Sequence, residues 1–125
     1  MTFEDLESWQ KARETVRDIY TLMHEDRLSR DFGLCGQVQR AGVSITSNIA
    51  EGFERHHLSE KIQAYNVARG SGAEVRSLTY VIEDNFPENA ERAIALREKI
   101  ISIGKLITWL IQSTEQRKAS TYPIS

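Results

Sequence analysis

Proline is nearly absent from this chain of 125 residues, where Pro87 and Pro123 are the only two, so little interrupts long helices. Cysteine is rarer still: Cys35 stands alone, which excludes an intramolecular disulfide and the disulfide-stapled secreted folds. No apolar run approaches the roughly 18 to 20 residues that span a bilayer. The strongest candidate, "IISIGKLITWLI", is short and carries Lys105. The N-terminal "MTFEDLESW" has neither a basic leader nor an apolar signal-type run, and a cytoplasmic location is expected. A net charge of -2 with a pI near 5.9 gives no bulk attraction to nucleic acid or anionic membranes. The length fits one domain, expected over residues 1–118, with residues 119–125 as a polar, frayed C-terminal tail ending the stretch "EQRKASTYPIS".

What is present is helical periodicity. Leu6, Trp9, Val16, Ile19, Tyr20 and Met23 recur at spacings of three, four and seven, which predicts a first helix of about 20 residues, with Thr2 and Asp5 as a cap. Ser29 or Asp31 can start a second helix through Leu34, Val38, Ala41, Ile45 and Ile49, ending between Glu54 and His57. Ser59 can cap a third through Ile62, Tyr65, Ala68, Gly72, Val75, Leu78 and Ile82. Pro87 suits the first turn of a fourth, whose apolar positions Ile94, Leu96, Ile100, Ile101, Ile103, Ile107, Leu110 and Ile111 form a broad stripe. Nothing reads as a strand. The expected fold is all-α, an antiparallel up-and-down four-helix bundle.

Two stretches carry more than amphipathic helix. Gly70-Ser71-Gly72 puts two glycines inside the third helix at about 1 kcal/mol each relative to alanine, and the unbroken apolar period across them points to a closely packed neighbour. "RAGVSITSNIAEG", from Arg40, packs hydrogen-bonding side chains into core helix. Ser44, Asn48 and Glu51 are spaced by four and three and share one stripe beside Ala41, Ile45 and Ile49. Pairing the second helix with the third would bring Asn48 or Glu51 near Arg69, with Ser71 and Glu74 close by. Such a network of Ser44, Asn48, Glu51, Arg69, Ser71 and Glu74 would fix helix register, because buried polar groups without partners are costly.

Catalysis has no comparable pattern: no nucleophile lies beside a base, no carboxylate pair has enzyme-like spacing and no glycine-rich loop follows a strand. No catalytic residue, cofactor or metal site is expected. His56 and His57 are adjacent at a helix end, so they do not share a face as an i, i+4 ligand pair would. Cys35 reads as a small packed residue in preference to a reactive thiol. The wide stripe of the fourth helix exceeds what one bundle core uses, which leaves Ile94, Ile101 and Ile111, together with Trp9 and Trp109, as candidates for a contact between copies of the chain.

"VSITSNIAEGFER", with "FEDLESWQKARETVRDIY", "FGLCGQVQRAG" and "ARGSGAEVRS", resembles the four-helix-bundle family of proteins encoded by intervening sequences in bacterial 23S ribosomal RNA genes. The resemblance covers residues 3–110 and is most specific over residues 44–52. It departs at Thr46, where the family typically has proline, and at Gln39, near which it has a second arginine or similar residue. It implies a ring-like homopentamer, no known enzyme activity, and a distant relationship to the basic accessory proteins of diversity-generating retroelements, which engage a reverse transcriptase and nucleic acid. This chain is acidic, so a scaffold or adaptor acting on an unknown protein partner is the first expectation. Nucleic-acid binding is the alternative, with Arg92, Arg97, Lys99 and Lys105 as its contacts, interleaved with Glu91 and Glu98.

Overall fold

A computed structural model describes residues 1–121 of the chain. It contains four helices, α1 (Glu7–Leu22), α2 (Phe32–Glu54), α3 (Leu58–Asn85) and α4 (Ala90–Thr121), with single 3-10 turns at Phe3–Asp5, Leu28–Arg30 and Pro87–Asn89. No strand occurs among the described residues. No described helix is long and apolar enough to cross a membrane.

The helix starts follow local chemistry. The Asp5 carboxylate accepts from the Thr2 backbone N–H at 2.9 Å and from its hydroxyl at 3.3 Å, anchoring the turn that leads into α1. Asp31 caps α2, its carboxylate accepting the Leu34 N–H at 3.1 Å. α3 begins one residue before the expected Ser59, at Leu58, and its N-cap His57 makes no side-chain cap bond. Lys61 sets this junction instead: its ammonium donates to the Phe53 carbonyl at 2.5 Å and the Gly52 carbonyl at 3.4 Å, satisfying the open C-terminal end of α2. Burial pushes the Lys61 pKa down, and the charge of Arg117 adds to the effect. Pro87 opens a 3-10 turn just ahead of α4.

Successive helices pack antiparallel and α4 closes on α1. The registry is visible in pairs whose numbers rise on one helix and fall on the next, such as Ser44 with Ser71 and Gly52 with Tyr65. The core comprises Ala12, Ile19 and Leu22 of α1, Val38, Ala41, Ile45 and Ile49 of α2, Tyr65, Ala68, Val75 and Ile82 of α3, and Ala93, Leu96, Ile100, Ile103, Ile107 and Ile111 of α4.

Three expectations are corrected here. The buried stripe of α1 is turned from the expected one: Ser8, Ala12 and Thr15 are buried with Ile19 and Leu22, whereas Tyr20 is 41% exposed and Trp9 and Val16 are half-buried. Small side chains let α1 settle close to α2, where Ile19 Cδ1 lies 2.6 Å from the position a Cβ on Gly42 would take. Ile111, expected at an outer surface, is 4% exposed and belongs to the core, because α4 continues past it with the same inward face. Residues 119–121, expected in a frayed tail, continue α4; nothing in "EQRKAST" breaks a helix, and its residues include strong helix formers. Residues 122–125 of that tail lie outside the described residues.

The glycines also fall out differently. A methyl group on Gly52 would meet the Tyr65 ring at 2.6 and 2.8 Å and Ala64 Cβ at 3.2 Å, so the close helix approach is at Gly52 and Gly42. Gly70 has nothing within 4 Å of such a methyl, and Gly72 meets only Ile100 and Ile45 at ordinary contact distance. α3 runs through both unbroken, so they mark neither a hinge nor the tight contact expected of them.

Candidate functional site

The polar residues of α2 and α3 form a small seam. The hydroxyls of Ser44 and Ser71 lie 2.7 Å apart, bridging the two helices. Asn48 Nδ2 donates to the Ser44 carbonyl at 2.9 Å and the Ser44 hydroxyl at 3.1 Å. The other expected members lie elsewhere. Glu51 pairs with Arg55 on its own exposed face, and Glu74 is exposed. Arg69 donates to Asn66 Oδ1 at 3.0 Å and to Thr108 Oγ1 at 3.4 Å, so it faces α4 and not Asn48 or Glu51. The reason is helical geometry: Arg69 and Ser71 are two residues apart, about 200° around the helix, and cannot both face α2. Thr46, where proline is typical, donates to the Val43 carbonyl at 2.7 Å within an unbroken α2.

The cations separate into two sets. Of the four expected nucleic-acid contacts, Arg92 pairs with Glu25, Lys99 with Asp18 and Arg97 with Glu83, which leaves Lys105 without a carboxylate partner among the described residues. Arg97 is the most deeply held. Its Nε donates to Thr79 Oγ1 at 2.9 Å, its Nη2 to Glu83 Oε1 at 2.6 Å, and its guanidinium lies 3.5 Å from the Tyr80 ring centroid. With its side chain only 13% exposed, it latches α3 to α4. Sequence reasoning missed this role, although Tyr80 and Glu83 lie one and four residues beyond Thr79 and offered the signal.

Arg69, Arg76 and Lys105 form no ion pair among the described residues, and all three line one groove between α3 and α4. The groove holds about 420 Å³. Its floor is apolar: Ile100, Ile103 and Ile107 lie beneath, and Gly72 of α3 and Gly104 of α4 widen it by having no side chains. Ile101 lines it from the α4 side. A Cβ on Gly104 would meet nothing within 4 Å.

Of the remaining expected interface residues, Trp109 is 64% exposed on the outer face of α4 and Ile94 is 40% exposed. Trp9 packs edge-to-face on Phe3 with ring centroids 5.2 Å apart, under Arg13, and so has intrachain partners. Cys35 is buried, its thiol donating to the Leu28 carbonyl at 3.2 Å; burial and then the charge of Asp31 push its pKa up, away from thiolate reactivity. His56 and His57 are exposed at the turn between α2 and α3. Among the described residues, no group of three or more His, Cys, Asp or Glu side chains could hold a metal ion.

The sequence profile of the 23S rRNA-intervening sequence protein matches residues 4–109. The chain belongs to that family. The match spans α1 to α3 and most of α4, and so includes the serine seam and the α3–α4 groove. A solved structure with the same fold is a protein of unknown function from the S23 ribosomal protein family of Bacteroides thetaiotaomicron VPI-5482; it is 20% identical, with a TM-score of 0.75 over 83% of this chain and 97% of that one. No curated protein matches this chain. Neither the family description nor that of the structural neighbour names a reaction.

Proposed function

We propose that this protein is a non-enzymatic, cytoplasmic scaffold or adaptor that works as a homo-oligomer, a ring of five copies, and presents its helices to another macromolecule. One observation carries the reading: α4 fills the core with one face while its outer face leaves Trp109 64% exposed. Large aromatic side chains are enriched in subunit contacts, and an indole left in water forgoes roughly 1.5 to 3 kcal/mol of burial. Ile94 on the same helix adds apolar area. The first test is native mass spectrometry at micromolar concentration. A five-subunit mass that shifts to monomer in Trp109→Ser supports the reading, and a monodisperse wild-type monomer ends it.

The nucleic-acid accessory role has weaker support, since ion pairs already neutralise Arg92, Arg97 and Lys99. Its signature is an RNA or DNA affinity that falls steeply with salt. The same spectra serve here, because a bound nucleic acid appears as excess mass that nuclease removes.

A further inference from the structure

The groove between α3 and α4 combines an aliphatic floor with three cations and no acid in its lining. Five of the chain's cations, Arg27, Arg55, Arg92, Arg97 and Lys99, face carboxylates. Arg69, Arg76 and Lys105 gather on the rim of an apolar groove with no acid opposite them. The glycines below them serve no intrachain contact: the Cβ position on Gly104 is open, and that on Gly72 is in ordinary contact only. Each glycine weakens its helix by about 1 kcal/mol relative to alanine without a compensating close approach inside the chain. What they supply is room.

We propose that this groove docks an acidic amphipathic helix of a partner protein. The occupant's chemistry follows from the walls. Arg69 and Arg76 are seven residues apart on α3, two helical turns or about 10.5 Å, and so would face carboxylates at i and i+7 of a helix laid along the seam. Lys105 on the opposite wall takes an acid on the other flank. Between these flanks, apolar side chains at i+1, i+4 and i+8, about a quarter-turn around the helix from those acids, drop onto Ile100, Ile103 and Ile107 where Gly72 and Gly104 leave space. This is the helix-in-groove mode, in which apolar anchors give affinity and flanking charges give orientation. A nucleic acid fits less well, because no aromatic side chain lines the groove to stack a base and its floor is aliphatic. The inference rests on the adaptor reading and names the class of partner.

The probe is a fluorescein-labelled peptide of about 18 residues, above the roughly 12 to 15 below which isolated helices are marginal, with a leucine ridge flanked by glutamates. A control peptide carries lysine for every glutamate, and a single-stranded RNA of similar length serves as a competitor. Fluorescence anisotropy is read on the full chain, and native mass is recorded for every variant. The expected result is saturable binding of the glutamate peptide, at least about tenfold tighter than the lysine peptide, weakened by about tenfold or more in Arg76→Glu and in Lys105→Glu. Gly104→Leu fills the groove; it is expected to unfold no earlier than wild type and to lose the peptide, which separates lost docking from lost folding. Equal affinity for the two peptides, no binding of either, or undiminished binding to Gly104→Leu overturns the proposal. So does RNA that outcompetes the peptide through Arg76 and Lys105, or a Gly104→Leu variant whose oligomer falls apart, since the groove would then belong to nucleic acid or to a second copy of this chain. A monomeric wild type that still binds the glutamate peptide removes the ring and leaves the groove assignment standing.

Discussion

Ser44 and Ser71 place their hydroxyls 2.7 Å apart across the α2–α3 seam, with Asn48 donating to the Ser44 oxygen from one turn along. The pair forms the one polar cross-tie in that seam linking serine to serine, and its value lies in setting which turn of α2 faces which turn of α3. Ser44→Ala and Ser71→Ala are each expected to lower unfolding free energy by about 0.5 to 1.5 kcal/mol. The double variant should cost less than the sum, with a coupling of about 0.5 kcal/mol or more, since one bond is removed in either case. Urea denaturation of the four proteins checks this, and strict additivity would show that the hydroxyls act independently.

Glycine-to-alanine changes should have opposite signs at two sites. At Gly52 the new methyl lands 2.6 Å from a Tyr65 ring carbon and 3.2 Å from Ala64 Cβ. The expected net cost is about 1 to 3 kcal/mol, because overpacking outweighs the gain in helix propensity. At Gly104 nothing lies within 4 Å, so Gly104→Ala should gain up to about 1 kcal/mol. Thermal melts of the two variants side by side decide it.

Arg97 and Arg92 both sit on α4 and both contact a glutamate, yet they should differ in consequence. Arg97→Met leaves Glu83 and Thr79 Oγ1 without their donor in a partly buried setting and removes the stack on Tyr80, for an expected loss of about 1 to 3 kcal/mol. Arg92→Ala breaks an exposed pair with Glu25, and a loss above about 1 kcal/mol would be out of line with such pairs. Chemical denaturation in low and high salt separates them, because salt screens only the exposed pair strongly.

The link between the α1–α2 connection and the start of α4 is expected to respond to acid. Arg27 grips Glu88 through two bonds of 2.8 and 3.0 Å and donates to the Asn85 carbonyl at 2.7 Å. Hydrogen bonding from Arg27, aided by Glu88's own backbone bond, lowers the Glu88 pKa from 4.5 to about 2. The folded value is depressed, so the contribution is complete above the unfolded-state pKa and disappears as pH falls through about 2. Glu88→Gln should therefore flatten the loss of stability between about pH 4.5 and 2, measured as the urea midpoint at successive pH values. An unchanged slope in the variant would assign the acid sensitivity to other carboxylates.

Most of the bundle was legible because its signals are local. Asp31 before an apolar-periodic run, Pro87 ahead of another and the polar break at "EDNFPEN" each act within a turn of the chain, and the helices start and stop close to them. What escaped depends on facing helices. Periodicity alone put Tyr20 and Trp9 at the centre of the α1 stripe, whereas the small side chains of α2 decide how far α1 turns inward. Ile111 is expected at an outer surface because the stripe of α4 is wider than one core uses, and a single sequence does not show which side of a wide stripe turns inward. Arg69 is expected against α2 and Arg97 at a nucleic-acid surface, since a single sequence does not show which neighbour takes an arginine between two seams. The Ser44–Ser71 contact was within reach because both residues sit among small neighbours on their own stripes.

The closing of α4 onto α1 is the helix seam that joins the most distant parts of the chain; the other three join consecutive helices. Such sequence-local pairing favours rapid formation of the α2–α3 and α3–α4 hairpins. During synthesis, though, Ile45, Ile49 and Val75 wait uncovered on one side until Leu96, Ile100 and Ile103 leave the ribosome. The groove and the exposed indole lie on or against this last helix. Any surface they provide therefore comes into being only after α4 has emerged and folded back, so a partner meets the assembled bundle and not its first three helices.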